Sequence, residues 1–327
     1  MKYIKKFWII ALSALFISSS ANAVNMVEIQ SYLNVPIKII GLPDFPPFAY
    51  YIDSGNANYQ FRSIFNEPLK KIFDKYNVSV EYYPINGDDL KNIKLLLVKA
   101  KSGEANTFIG AYADTKLFSG LEVIYPAIIT NPIHVITLYD TQEKIKTMGD
   151  LVQLRGIACK AEYFSDFVLR KFREMNVKFV DSPFEAYKAV ITGEADYMFG
   201  SMYFNRIMAS RYGVSDYLKY SKNPVWNIPF FVALSKMMPV LSEYKRVLTE
   251  EFSKPEFAME VKQIILETVN KEVDKYVGVV PPSFIQEIEN KAQVEQDDNV
   301  EVENFSSGHI VEQEVHQKSI DEVLDGI

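Results

Sequence analysis

Residues 102–111 read SGEANTFIGA and residues 192–201 read TGEADYMFGS. The two stretches align without a gap, Gly103 against Gly193 and Gly110 against Gly200. Each follows a segment with helical patterning, 90–101 in the first copy and 183–191 in the second, and each runs into a short apolar stretch. In the second copy Ser182 fits the N-cap, Pro183 the first helical turn, and Glu185 the far side of a capping box. The first glycine of each copy stands where a helix needs a left-handed residue before the chain turns into a strand. Two helix-Gly-strand units of one pattern predict two α/β lobes of similar design.

Outward from these units, β-rich and helical stretches alternate, as in parallel sheets flanked by helices. Strands are predicted at 36–42, 78–83, 133–138, 156–160, 177–180 and 230–234. Helices are predicted at 69–76, 141–154, 165–175, 239–252 and 256–269. The chain therefore leaves a first lobe near Leu138, builds a second, and returns near Phe231. With 327 residues, 48% hydrophobic and one cysteine, it is long enough for two cores and has no cysteine pair to staple them.

The net charge of −7 is unevenly placed. The first 23 residues carry Lys2, Lys5 and Lys6 and no acid, whereas 282–327 holds twelve acids against Lys291 and Lys318. The stretch between them is neutral, which argues against a nucleic-acid partner, because phosphate binding needs a basic excess. Residues 1–23 combine a basic start, an apolar run and the ending Ala21-Asn22-Ala23. That is the pattern of a secretory signal peptide cleaved after Ala23, and it predicts a periplasmic protein. The single Cys159, flanked by apolar residues, reads as a buried small hydrophobe.

The order of these motifs resembles the periplasmic solute-binding proteins of polar amino acid ABC importers. The matching pieces are the first strand with FPPF (45–48), the SGEANTFIGA unit, Pro126 of IYPAI sixteen residues beyond Gly110, DLVQLRG (150–156), the TGEADYMFGS unit and the returning ALSK (233–236). The resemblance covers about residues 36–270. It implies an α/β, two-lobed clamshell of the type II periplasmic-binding-protein class with two crossover hinge strands. The expected organisation is a signal peptide at 1–23, lobe one at 24–138 and 234–281, lobe two at 139–233, and a disordered acidic tail at 282–327. It also implies an ABC permease partner and capture of a small polar ligand, an amino acid or related compound, between the lobes.

In open α/β sheets ligands bind beyond the carboxyl ends of the strands. The loops there supply Asp44, Phe45, Phe48 and Tyr50 after the first strand, and Tyr112, Asp114, Thr115 and Lys116 after Gly110. They supply Tyr163 and Ser165 after Cys159, and Ser201 and Tyr203 after Gly200. The sequence departs from the family at two positions. The arginine that clamps the ligand carboxylate in the family is here Leu117, with Lys116 beside it, and the acid that receives the ligand ammonium is Ser201. What remains is rich in hydroxyls and rings, which suits a polar, weakly charged ligand, or a cation facing Asp44 and Asp114 with aromatic walls. The alternative for each is ordinary: Phe48 as core, Asp44 as a turn cap, Ser165 as an N-cap, Tyr203 packed on its own helix.

Catalytic readings are weaker. His134 lies in a β-forming run and reads as a buried, hydrogen-bonded imidazole, while His309 and His316 fall in the tail. No cysteine or histidine spacing suits a metal, and no nucleophile elbow or phosphate loop occurs. The chain therefore reads as a binder, not an enzyme, with no cofactor. A lyase or dehydratase built on Asp44 and Asp114 is the catalytic alternative. A ligand-sensing or scaffolding module, with the tail recruiting a partner through Val311, Val315, Ile320, Val323 and Leu324, is the other. Trp226, just before the returning strand, is read either as core or as a reporter of closure.

Overall fold

The computed structural model describes residues 36–55, 59–90, 92–139, 145 and 147–287. The predicted signal peptide and the tail beyond residue 287 lie outside the described residues. The chain divides into two compact units, one reaching Ile129 and resuming at Pro229–Leu266, the other formed by Thr130–Ile228 and the chain from Glu267. The boundaries fall at the start of strand Ile129–Leu138, within strand Trp226–Ser235, and within helix Pro255–Asp274.

In the first unit the parallel strands Val80–Tyr82, Ile37–Gly41 and Thr107–Ala111 lie side by side in that order, Ile39 pairing with both Tyr82 and Thr107. The returning strand adds Phe231–Leu234 antiparallel to Thr107–Ala111, and Leu121–Val123 pairs with it in turn. All five residues of Thr107–Ala111 are buried, which is why the sequence after Thr107 is apolar without alternation. The segment after the first strand folds into its own antiparallel meander, Asp44–Phe45, Ala49–Asp53 and Tyr59–Arg62. The second unit repeats the plan. Lys178–Val180, Gly156–Cys159 and Tyr197–Ser201 are parallel, Ile129–Leu138 runs antiparallel to the last, and Leu218–Tyr220 borders it. The α/β build read from the repeat is present in both units.

The repeat glycines behave as their positions require. Gly103 and Gly193 have φ of +85° and +74°, ending the helices Ile93–Ser102 and Pro183–Ile191. The Ser182 hydroxyl accepts from the Glu185 N–H as predicted, but the Glu185 carboxylate reaches the N–H of Asp181, one residue before the expected partner. Two predicted helices differ from expectation. The stretch 90–101 is two helices, Gly87–Leu90 and Ile93–Ser102, because Asn92 adopts an extended backbone and caps Lys94 N–H. Of 141–154 only Met148–Leu151 is helical among the described residues. It is a single turn closed by a reciprocal Thr147 and Asp150 capping box, after which Arg155 pairs with Asp196 and the chain enters the strand. Residues 283–287, at the head of the segment read as a tail, form a helical turn with Ile285 buried and Phe284 against Phe184.

Candidate functional site

In the first unit the candidate residues sit on two loops beyond the carboxyl ends of adjacent parallel strands, Ile37–Gly41 and Thr107–Ala111. The first loop turns so tightly that Asp44 pairs with Tyr50 and Phe45 with Ala49. The alternation of the ladder then points Asp44 outward and Phe45 inward. Phe45 and Phe48 are fully buried and stacked at 5.3 Å between ring centroids. Both lie against Phe230, which also takes Phe65 and Tyr112. These rings form the floor under the loop, and the ring offered to solvent from this segment is that of half-buried Tyr50. On the second loop a turn from Tyr112 to Thr115 leads into the 3-10 helix Lys116–Phe118. Asp114 and Lys116 are exposed, Thr115 is half-buried and Tyr112 is core. Leu117, at the family's arginine position, is half-buried, and its carbonyl accepts from Lys101 Nζ at 3.2 Å.

Gly110 explains the close fit of these loops. Its φ is +106°, and a Cβ there would stand 2.7 Å from Leu42 Cγ and 3.2 Å from the Phe230 ring. The strand and the aromatic floor approach through the missing side chain.

The second unit carries a buried polar network at the carboxyl ends of Gly156–Cys159 and Tyr197–Ser201. The 3-10 helix Lys160–Glu162, ended by Tyr163 at φ +48°, turns Glu162 inward, where it is 1% exposed. Its two carboxylate oxygens accept from the Ser201 N–H at 2.6 Å and from Asn205 Nδ2 at 2.9 Å. Asn205 Nδ2 also donates to the Ser201 carbonyl, and Asn205 Oδ1 accepts from the Tyr187 hydroxyl at 2.7 Å. The Ser201 hydroxyl donates to Asn131 Oδ1 at 2.6 Å and caps helix Met202–Arg211 by accepting from Phe204 N–H. Burial pushes the Glu162 carboxyl up to about 8, against the opposing pull of the Asn205 and Ser201 N–H bonds.

Ser201 is thus wholly buried and its N–H and O–H groups have internal partners. Ser165 caps helix Asp166–Glu174 through Val168 N–H and is buried, and Tyr203 is buried with its hydroxyl pushed up by desolvation. Tyr163 is the half-buried ring of this set. Trp226 packs on Phe199, Phe172 and Phe167 within the second unit. His134 is buried with Nδ1 on the Ser221 carbonyl at 2.8 Å, so its Nδ1 donates as a neutral ring. Nε2, however, has no partner among the described residues. The imidazole read as hydrogen-bonded is so on one side only. Burial holds its pKa below the ordinary histidine value. Cys159 is buried. Among the described residues no group of three histidine, cysteine, aspartate or glutamate side chains is arranged to hold a metal, and no helix is long and apolar enough to cross a membrane.

The sequence reading passed over Glu162, Asn131, Asn205, Tyr187 and Phe230. Glu162 carried a usable signal, since it follows a fully apolar strand within one of the loops singled out. The others lie inside helices or strands, where only the pairing of distant segments gives them a role.

No protein-family model matches this sequence, and no curated protein matches it in sequence. Solved structures match its fold. One is an amino acid ABC transporter substrate-binding protein from Streptococcus pneumoniae bound to L-arginine. It is 16% identical, spans 73% of this chain and 96% of its own, and has a TM-score of 0.52. A histidine kinase sensor domain with similarity to periplasmic binding proteins is 13% identical over 76% of this chain and 99% of its own, TM-score 0.53. An ancestral amino acid-binding protein described as a precursor of cyclohexadienyl dehydratase is 15% identical over 75% and 99%, TM-score 0.52. The chain has the α/β fold of type II periplasmic binding proteins, in a divergent sequence.

Proposed function

We propose that this protein is an exported solute-binding protein that captures a small polar ligand, an amino acid or related compound, and delivers it to an ABC permease. The observation that carries this reading is the placement of polar and aromatic side chains at the carboxyl ends of parallel strands in each unit, on the loops after Ile37–Gly41 and Thr107–Ala111 in the first and after Gly156–Cys159 in the second. Solute-binding proteins of amino acid importers among the structural neighbours support it. Asp44, Tyr50, Asp114, Thr115, Lys116 and Tyr163 are the side chains we assign to ligand contact, on the ground that they are not enclosed in either core. With Leu117 and buried Ser201 at the two clamp positions of the family, recognition rests on these residues. Among such ligands, the absence of a guanidinium at the clamp position favours an amine-bearing or weakly charged molecule over one anchored mainly by its carboxylate. Residues 1–23 direct the chain to the periplasm in this reading.

A second reading, a ligand-sensing module, is favoured by the sensor domain among the neighbours. Native mass spectrometry of the purified protein followed by a thermal-shift panel of amino acids, amines, sugars and peptides tests ligand capture. A ligand that raises the melting temperature and is recovered intact supports the proposal. A ligand that is consumed moves the assignment to a lyase. No stabilisation by any member of the panel removes it. Truncation at residue 287 separates the two binding readings: uptake in cells survives it, and a tail-dependent signalling output does not.

A further inference from the structure

Glu162 is held in a way that suits only one of its protonation states. Both carboxylate oxygens face N–H donors, the backbone of Ser201 at 2.6 Å and Asn205 Nδ2 at 2.9 Å. A protonated carboxyl would aim an O–H at one of them. The Ser201 N–H is fixed by the backbone. The Asn205 amide is not, because its oxygen and nitrogen exchange places by a half-turn of the terminal torsion, and its present orientation is defined by the Tyr187 hydroxyl donating to Oδ1 at 2.7 Å. After a half-turn, Oδ1 accepts from a protonated Glu162, and Nδ2 faces the Tyr187 oxygen, which can accept as well as donate. The half-turn exchanges the bond from Nδ2 to the Ser201 carbonyl for an oxygen facing that carbonyl, and it turns the Tyr187 O–H away from Asn205; these costs are what the proton on Glu162 must offset.

We propose that Glu162, Asn205 and Tyr187 form a proton-operated relay with two hydrogen-bond arrangements, in which uptake of one proton by Glu162 reverses the Asn205 amide, turns the Tyr187 hydroxyl from donor to acceptor, and frees the side-chain bond to the Ser201 carbonyl. The relay ties strand Tyr197–Ser201, helix Pro183–Ile191 and helix Met202–Arg211 to the charge of one carboxyl. It has no slack at its centre, since a Cβ on Gly200 would stand 2.8 Å from Glu162 Oε1 and collide with Asn205 Nδ2.

The surrounding groups leave the titration to Glu162. Helix Pro183–Ile191 contributes Tyr187 and strand Leu218–Tyr220 contributes Tyr220, whose hydroxyls burial pushes up, so both stay neutral. Helix Met202–Arg211 contributes Arg206, whose charge acts on Tyr220. Strand Ile129–Leu138 contributes His134, paired in register with Gly200 and held neutral by burial. Tyr212 adds a further ring hydroxyl near Tyr187. Strand Gly156–Cys159 contributes the Cys159 thiol, whose role the test isolates. Opposition between burial and two N–H bonds sets the Glu162 carboxyl at about 8, so the relay changes state near neutral to mildly alkaline pH. The relay stands independently of which ligand, if any, the loops bind.

The test is a titration from pH 5 to 10 of the full chain with 13C-labelled glutamate side chains, the Glu162 carboxyl being assigned by its contact with the Ser201 amide proton. The expected result is a midpoint near 8, with the Asn205 side-chain amide signals moving at the same midpoint, no such transition in Glu162→Gln, and an unchanged one in Cys159→Ala. A Glu162 carboxyl already ionised across the whole range, as its ordinary value of about 4.3 requires, overturns the proposal, as does an Asn205 amide that ignores the transition or a transition lost in Cys159→Ala. The wild-type spectra decide the matter even if Glu162→Gln fails to fold.

Discussion

The backbone N–H of Ser201 meets the carboxylate of Glu162 at 2.6 Å, tying the end of the second repeat to an acid 39 positions earlier in the chain. Both residues are buried. The strand end beyond Gly200 is thereby fixed by a buried carboxyl inside the second unit and not left open to solvent.

This crowding makes Gly200 intolerant of a side chain. Gly200→Ala is expected to lower unfolding free energy by about 1–3 kcal/mol through overpacking, read by urea denaturation. Because the colliding atom belongs to Asn205, Gly200→Ala and Asn205→Ala should be non-additive by about 0.5–3 kcal/mol in a double-mutant cycle. Strict additivity would show that the alanine methyl is accommodated elsewhere.

Phe230 anchors the aromatic floor of the first unit, touching Phe45, Phe48, Phe65 and Tyr112 from a fully buried position. Phe230→Ala should cost about 3–5 kcal/mol. Near-ultraviolet circular dichroism of the folded variant should lose intensity in the phenylalanine band, since the ring cluster loses its centre.

His134 supplies a pH dependence of known sign. Burial lowers its folded pKa, outweighing the help of the Ser221 carbonyl. As pH falls through the ordinary histidine value of about 6.5, the unfolded chain takes up the proton first, so stability present above that range is lost below it. His134→Gln keeps a donor toward Ser221 and removes the titration. The stability difference between wild type and variant, measured by denaturation at pH 7.5 and 5.5, should shift against the wild type at the lower pH.

Helix Pro183–Ile191 depends on its cap. Ser182→Ala removes the acceptor of the Glu185 N–H and should cost about 1 kcal/mol. Hydrogen exchange should accelerate in the first turn of that helix before it does in the adjacent strand.

Under the binding proposal, Asp44→Ala and Asp114→Ala should each reduce the thermal shift given by whichever panel compound stabilises the wild type. Both carboxylates are exposed, so the melting temperature of the unliganded protein should stay where it is. Phe45→Ala, by contrast, should lower it in the absence of any compound, because that ring is fully buried. Equal loss of ligand response in all three variants without destabilisation by Phe45→Ala would place the Phe45 ring in the site.

The local features of the fold were legible in the chain because they are written by neighbours in sequence. Gly103 and Gly193 end their helices in the left-handed region, Ser165 and Ser182 cap the helices that follow them, and the apolar runs at 107–111 and 197–201 became fully buried strands. Each of these follows from backbone conformation or burial over a few residues. The helix read across 90–101 was broken by Asn92, whose side chain competes for the backbone N–H groups it would otherwise leave in register.

The sequence by itself determined that two α/β units occur, where their parallel strands end, and which loops stand beyond those ends. Only the tertiary structure decided what those loops present. Phe45 and Phe48, read as walls for a ligand, became a floor because strand pairing at Phe45 and the turn that carries Phe48 packed both rings on Phe230, and Ser201 was enclosed by Asn131 and Glu162, which lie 70 and 39 residues away. A side chain's protonation and exposure depend on which distant groups surround it, and that is fixed by packing between segments, not by the order of residues along one.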